Sequence, residues 1–190
     1  MNLEPPSSSG ISVTTDGADP VIVVPHRSSG PMRFFVGLFL LAWLGGWLAG
    51  FRDAVSKLLS GQAPAAIVAW TLGGAFAVYW AYRALRSSVP ESLRLMPNSV
   101  IYDSGVPPFQ ALAISRADFW KSMFPKRTRI ELDWQKLQSL RLGETNDGNP
   151  LTVDVDALRL DIAQSASEIE REWLYQLLAK RYSLPLPQSG

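Results

Sequence analysis

FFVGLFLLAWLGGWLAGF, residues 34–51, is a run of eighteen residues without a charge. As an α-helix rising 1.5 Å per residue it spans about 27 Å, close to the hydrocarbon thickness of a bilayer. A second uncharged stretch covers residues 58–82, and Pro64 stands where its helix would begin, a position that tolerates a missing N–H. Between the two, residues 52–63 carry Arg52, Asp53, Lys57, Gly61 and Gln62, polar enough for a connection at the far interface. Trp43, Trp47, Trp70, Tyr79, Trp80 and Tyr82 include several near the span ends, where amphipathic rings settle. The pattern predicts a transmembrane helical hairpin over residues 33–86.

The first apolar run is longer than that of a secretory signal and follows a long tail, so it reads as an anchor that stays. Arg27, Arg33, Arg83 and Arg86 flank one side of the hairpin, against Arg52 and Lys57 on the other. The excess predicts a multi-pass membrane protein with both termini cytoplasmic. Gly45, Gly46 and Gly50 in the first span, with Gly73 and Gly74 in the second, offer small surfaces for close helix packing. Their expected use is packing the hairpin on itself, with a homo-oligomer as the other use.

Outside the hairpin, residues 1–32 are rich in Pro, Ser and Gly and read as a disordered tail. Val21-Ile22-Val23-Val24 is the exception, placed either at the membrane surface or against the folded domain. After Arg86 the pattern changes to the alternation of strands. ESLRLM (91–96), SVIYDS (99–104), TRIELDW (128–134), 151–155 and 158–162 predict an antiparallel sheet of about five strands. Asn146-Asp147-Gly148-Asn149-Pro150 marks a turn. Ser167-Glu168-Ile169-Glu170 is a capping box opening a terminal helix, whose Ile169, Trp173, Leu174, Leu177 and Leu178 share one face. Pro185 and Pro187 close it, leaving 185–190 as a short tail. An amphipathic helix is the natural cover for one face of such a sheet. The fold class expected is a membrane α-helical hairpin followed by an α+β domain over residues 87–184, an antiparallel PH-like sheet with one C-terminal helix.

YDSGVPPF (102–109), FPKRTR (124–129), LQSLRLGET (137–145) and EIEREWLYQLLAKRYSL (168–184), in this order after a hairpin, resemble a group of uncharacterised cyanobacterial proteins. These have two transmembrane helices and a PH-like C-terminal domain. The order is also similar to that of the wider bacterial PH-like membrane family. The resemblance implies the fold and a plasma or thylakoid membrane as the address, and supplies no catalytic residue.

Chemistry is sparse in the 190 residues. Cys is absent and His26 is the single histidine, which removes thiolate chemistry and a histidine-rich metal site. No G-x-S-x-G, G-x-x-x-x-G-K-[ST] or G-x-G-x-x-G pattern occurs. Thr152, Asp154 and Asp156 fall two apart, opposite Val153 and Val155, as a solvated strand face would; Asp161 adds no ligand spacing. Glu168, Glu170 and Glu172 suit the start of the terminal helix. No Asp, Glu, Lys, Arg or His lies within the two membrane spans to mark an ion path. No enzyme activity, cofactor or metal is expected. With Lys+Arg 18 against Asp+Glu 17, nucleic acid is not an expected partner.

One segment stands out. Residues 116–129 hold five basic residues against one acid, whereas 130–190 hold six against ten. Phe119, Trp120, Met123 and Phe124 recur at helical spacing beside Lys121, ahead of Lys126, Arg127 and Arg129. The stripe is either ordinary core or a membrane-interface segment whose basic residues meet anionic lipid. The function expected is a non-enzymatic, membrane-anchored interaction or assembly module at the cytoplasmic face. Its partners would be membrane lipids and a membrane protein or complex. The alternative is a homo-oligomeric membrane element with a transport or membrane-shaping role.

Overall fold

The structure, a computed structural model, describes residues 3–7, 9–26, 32–61, 64–109, 120, 122–143, 149–156 and 158–184. Two compact units emerge: residues 1–27, 88–107 and 126–190 form one, and 28–87 with 108–125 the other. The β domain is thus discontinuous in sequence, where a single block over 87–184 was expected.

Ser12–Asp16 (β1) and Asp19–Val24 (β2) form an antiparallel hairpin. The reading of residues 1–32 as a disordered tail is corrected by these strands. Ile22 and Val24, inward on β2, are fully buried, Ile11 joins them in the core, and Leu3 and Val13 pack against it. β2 pairs with Glu91–Leu95 (β3), β3 with Ser99–Asp103 (β4), and β4 with Arg129–Asp133 (β5), giving a five-stranded antiparallel sheet in chain order. Strict alternation sets β3: Glu91, Leu93 and Leu95 point inward. Arg94, on its outer face, pairs with Asp16 of β1.

Where one sheet was expected, a second takes the later strands. Arg141–Leu142 (β6), Leu151–Val155 (β7) and Leu158–Ile162 (β8) form a three-stranded antiparallel sheet. The break falls at Asp133, whose carboxylate caps a single helical turn, Trp134–Leu137 (α3 in chain order), by accepting the Lys136 N–H at 2.9 Å. Trp134, expected to close a strand pattern, begins that turn and is exposed.

Glu168–Tyr182 (α4) opens with the expected capping box, Ser167 and Glu170 each satisfying the other's backbone N–H. Leu174, Leu177 and Leu178 enter the core with Tyr175 and Tyr182, whereas Ile169 is 65% exposed and does not share the buried face. Tyr182 donates its hydroxyl to the Met96 carbonyl at 2.7 Å, and Arg181 donates to the Leu95 carbonyl at 3.1 Å, tying the helix end to the β3–β4 turn. One continuous core joins both sheets, α3 and α4.

In the other unit, Met32–Leu59 (α1) and Pro64–Leu85 (α2) pack side by side. Helix α1 continues through Arg52, Asp53 and Lys57, residues expected in the connection, because nothing in 52–59 breaks it. Phe34–Lys57 is long and apolar enough, by length and composition, to cross a membrane, and its side chains are largely outside the protein. Trp47 stacks on Trp70 and donates its indole N–H to the Trp70 carbonyl at 3.1 Å, pinning the two helices together.

Candidate functional site

The glycines expected to pack the hairpin divide into two sets. A Cβ at Gly74 would overlap the Trp47 ring, so that position has no room for a side chain, and one at Gly50 would press on Trp70, which makes a tight contact there. Gly45, Gly46 and Gly73 meet nothing within 4 Å and do not serve the hairpin contact. Gly37, which helical spacing did not single out, lies against Leu85 instead.

The aromatic stripe also divides. Phe119 and Lys121 lie outside the described residues. Trp120, Ser122 and Met123 have helical backbone, and Met123 is fully buried with Phe109 and Ala84, backed by Val36, Tyr79 and Trp80. The Tyr79 hydroxyl donates to the Met123 carbonyl at 2.9 Å, and its ring stacks on Phe124. Trp120 and Phe124 stack on each other yet remain 52% and 56% exposed. Met123 is therefore core, and Trp120 and Phe124 form an outward aromatic pair. Arg83, counted among the flanking charges, is buried in this same unit.

In the β domain, register places Val24, Glu91, Asp103 and Arg129 at one end of the five-stranded sheet. Both long connections, from β2 to β3 and from β4 to β5, leave and rejoin the sheet at this end. Arg127, expected to face lipid, grips Asp103 with two hydrogen bonds of 2.8 and 2.6 Å. That contact holds the Asp103 carboxyl below its ordinary value, helped by the Gly105 N–H donated at 3.0 Å. Gly105 has φ +61, and a Cβ there would run into the Val89 and Pro90 carbonyls. Lys126 and Arg129 are exposed, Arg129 opposite Asp103 in the register.

Beside this pair lies a cluster that sequence reasoning missed, having assigned His26 to the tail. Glu91, 2% exposed, accepts the Tyr102 hydroxyl at 3.0 Å and the Ser165 N–H at 3.1 Å. His26 Nδ1 lies 2.5 Å from the Ser165 hydroxyl and 4.0 Å from the Glu91 carboxyl. Burial pushes Tyr102 far above its ordinary value, with Glu91 adding to it. Burial also lowers the His26 imidazole, against the opposing pull of Glu91 and the Val89 carbonyl. A hydrolytic triad needs the imidazole to use one nitrogen for serine and the other for the acid. Here Nδ1 meets both, and among the described residues no side chain pairs with the buried Nε2. The geometry suits holding strands together and offers no proton relay from Ser165. The one legible signal was a lone histidine directly after a β-branched run, VIVVPH.

Asp154, on the solvent side of β7, pairs with Arg159 of β8 at 3.3 Å, an ordinary cross-strand contact. Scans against protein-family models and searches of curated proteins and of solved structures returned no match to this chain.

Proposed function

We propose that the chain is a non-enzymatic, membrane-anchored interaction or assembly module that presents its β domain at the cytoplasmic face of a membrane. One observation carries this reading: an apolar helical hairpin is spliced between two register-paired strands of the sheet. Phe34, Phe35, Leu38, Phe39, Leu41 and Leu48 all point out of the protein from α1. So continuous an apolar surface requires lipid or another protein around it. Residues 86–90 alone join α2 to β3, a tether of at most about 18 Å when extended. A bilayer around α2 would therefore hold the β domain at its surface.

Within this proposal α2 is the second membrane span, both termini are cytoplasmic, and the membrane is a plasma or thylakoid membrane. Two antiparallel sheets with a C-terminal helix in their core support a PH-like reading of the β domain. Trp120 and Phe124 are the aromatic pair at the headgroup level, with Lys126 and Arg129 toward anionic lipid. The partner is a membrane protein or complex. The full chain should stay in the membrane fraction after alkaline carbonate extraction, and gentle solubilisation with affinity purification should recover a membrane protein with it. Release by carbonate, or recovery of the chain alone across growth conditions, counts against the reading.

One observation favours the second reading, a homo-oligomeric element with a transport or membrane-shaping role: Gly45, Gly46 and Gly73 leave open space where a second copy could approach. A monomer in native-like lipid would end it.

A further inference from the structure

We propose that His26 is an acid-sensitive clasp: the neutral imidazole holds the end of β2 to Ser165 and Glu91, and its protonation loosens the β1–β2 hairpin from β3. The inference goes beyond membrane anchoring and does not depend on it. If the anchor reading holds, the clasp sits at the root of the connection into α1.

His26 lies beside Ser165 and Glu91. It follows β2 by two residues, where the chain leaves the sheet. Its side chain is only 6% exposed, and the contact to Ser165 crosses 139 positions of sequence. Ser165 is itself fixed, since its N–H is donated to Glu91 and the turn before α4 is closed by Ala166 N–H to the Ala163 carbonyl. Ala163 adopts φ +54, a left-handed conformation that a non-glycine residue holds only when its surroundings impose it. Three elements, the end of β2, the start of β3 and the β8–α4 turn, therefore meet on one imidazole.

The two protonation states differ in what they ask of this site. Nδ1, 2.5 Å from the Ser165 oxygen, donates to it or accepts from it according to the tautomer, and the neutral ring keeps one nitrogen without a proton. Protonation puts a charge on a ring whose side chain is only 6% exposed; among the described residues Nε2 has no hydrogen-bond partner of good geometry, and the Val89 carbonyl is the backbone group that pulls toward the charged form. The charged group that acts on the ring is Glu91 on β3; Tyr102 on β4 binds that carboxylate, and Asp103 on β4 and Asp161 on β8 act on Tyr102 in turn. Glu91 favours the imidazolium, but both its oxygens are already engaged by Tyr102 and Ser165. Burial opposes the charge and outweighs the other influences. The sign is thus fixed: clasp stability is fully present above the ordinary histidine value, about 6.5, and declines as pH falls below it.

The test uses the full chain in lipid nanodiscs, where a single histidine gives a single imidazole signal. The imidazole NMR titration is followed alongside hydrogen exchange of residues 12–24 and 151–162 at pH 7.5 and 5.5, corrected for intrinsic rates. The imidazole is expected to titrate below 6.5, with protection of β1–β2 falling on the order of tenfold, one pKa unit's worth of linkage, while β7–β8 hold. In His26→Gln, which lacks the only side chain with an ordinary value in this window, the pH dependence of β1–β2 should vanish. An imidazole titrating at or above 6.5, unchanged β1–β2 protection in the parent chain, or the same loss in His26→Gln would overturn the proposal. Should His26→Gln not fold, the parent titration and exchange decide alone.

Discussion

Val24 and Glu91 face each other as register partners across β2 and β3, although all of α1 and α2 lies between them in the chain. The β domain therefore cannot be obtained by discarding what precedes residue 88. A fragment of residues 88–190 loses the buried side chains of Ile22 and Val24 and exposes the edge of β3. It should aggregate or melt without a cooperative transition. Joining residues 3–26 to residue 88 through a short flexible linker should restore one. Circular dichroism melting of the two proteins makes the comparison, and a cooperative melt of the shorter one would contradict the sheet order.

Leu174 and Ile169 lie on the same helix with opposite fates. Leu174→Ala removes a fully buried side chain of the shared core and should cost about 2–5 kcal/mol. Ile169→Ala removes one that is mostly in solvent and should stay within about 0.5 kcal/mol. Denaturant midpoints of the linked β domain measure both.

The Arg127 grip on Asp103 predicts an acid limb. Because the folded carboxyl lies below its ordinary value, its stabilisation is present above about pH 4 and is lost as pH falls through the folded value. Arg127→Gln should flatten the fall in stability between about pH 5 and 2, leaving stability near pH 7 lower than in the parent. An unchanged acid limb would mean the contact carries no stabilisation.

In the hairpin, Gly74→Ala should force Trp47 aside and cost about 1–3 kcal/mol, as overpacking does. Gly46→Ala meets open space and should leave the hairpin unchanged. Midpoints of unfolding in mixed micelles with rising SDS fraction compare them, and equal shifts would contradict the observed faces.

What the sequence made legible was local. The capping box at Ser167 and Glu170, the start of α2 at Pro64 and the alternation of Leu93 and Leu95 each depend on residues a few positions apart. The rest depends on partners far along the chain. Ile22 and Val24 look like a stray apolar run until β3 is beside them, and His26 looks like tail until Ser165 arrives from the other end. Arg127 read as a lipid-facing charge because Asp103, its partner, belongs to a different strand. Met123 shares helical spacing with Phe124, yet burial separates them, since spacing gives a face and not what covers it.

If α1 and α2 cross a membrane as a hairpin with the β domain inside, the α1–α2 connection and α4 lie on opposite sides of the bilayer. The chain has no cysteine, so single replacements report cleanly. Ser60→Cys sits exposed in the turn just after α1, and Gln176→Cys on the exposed side of α4. In spheroplasts, a membrane-impermeant maleimide should label Ser60→Cys at once and Gln176→Cys only after permeabilisation. Labelling of Gln176→Cys in sealed spheroplasts, or protection of Ser60→Cys until they are opened, would contradict this arrangement.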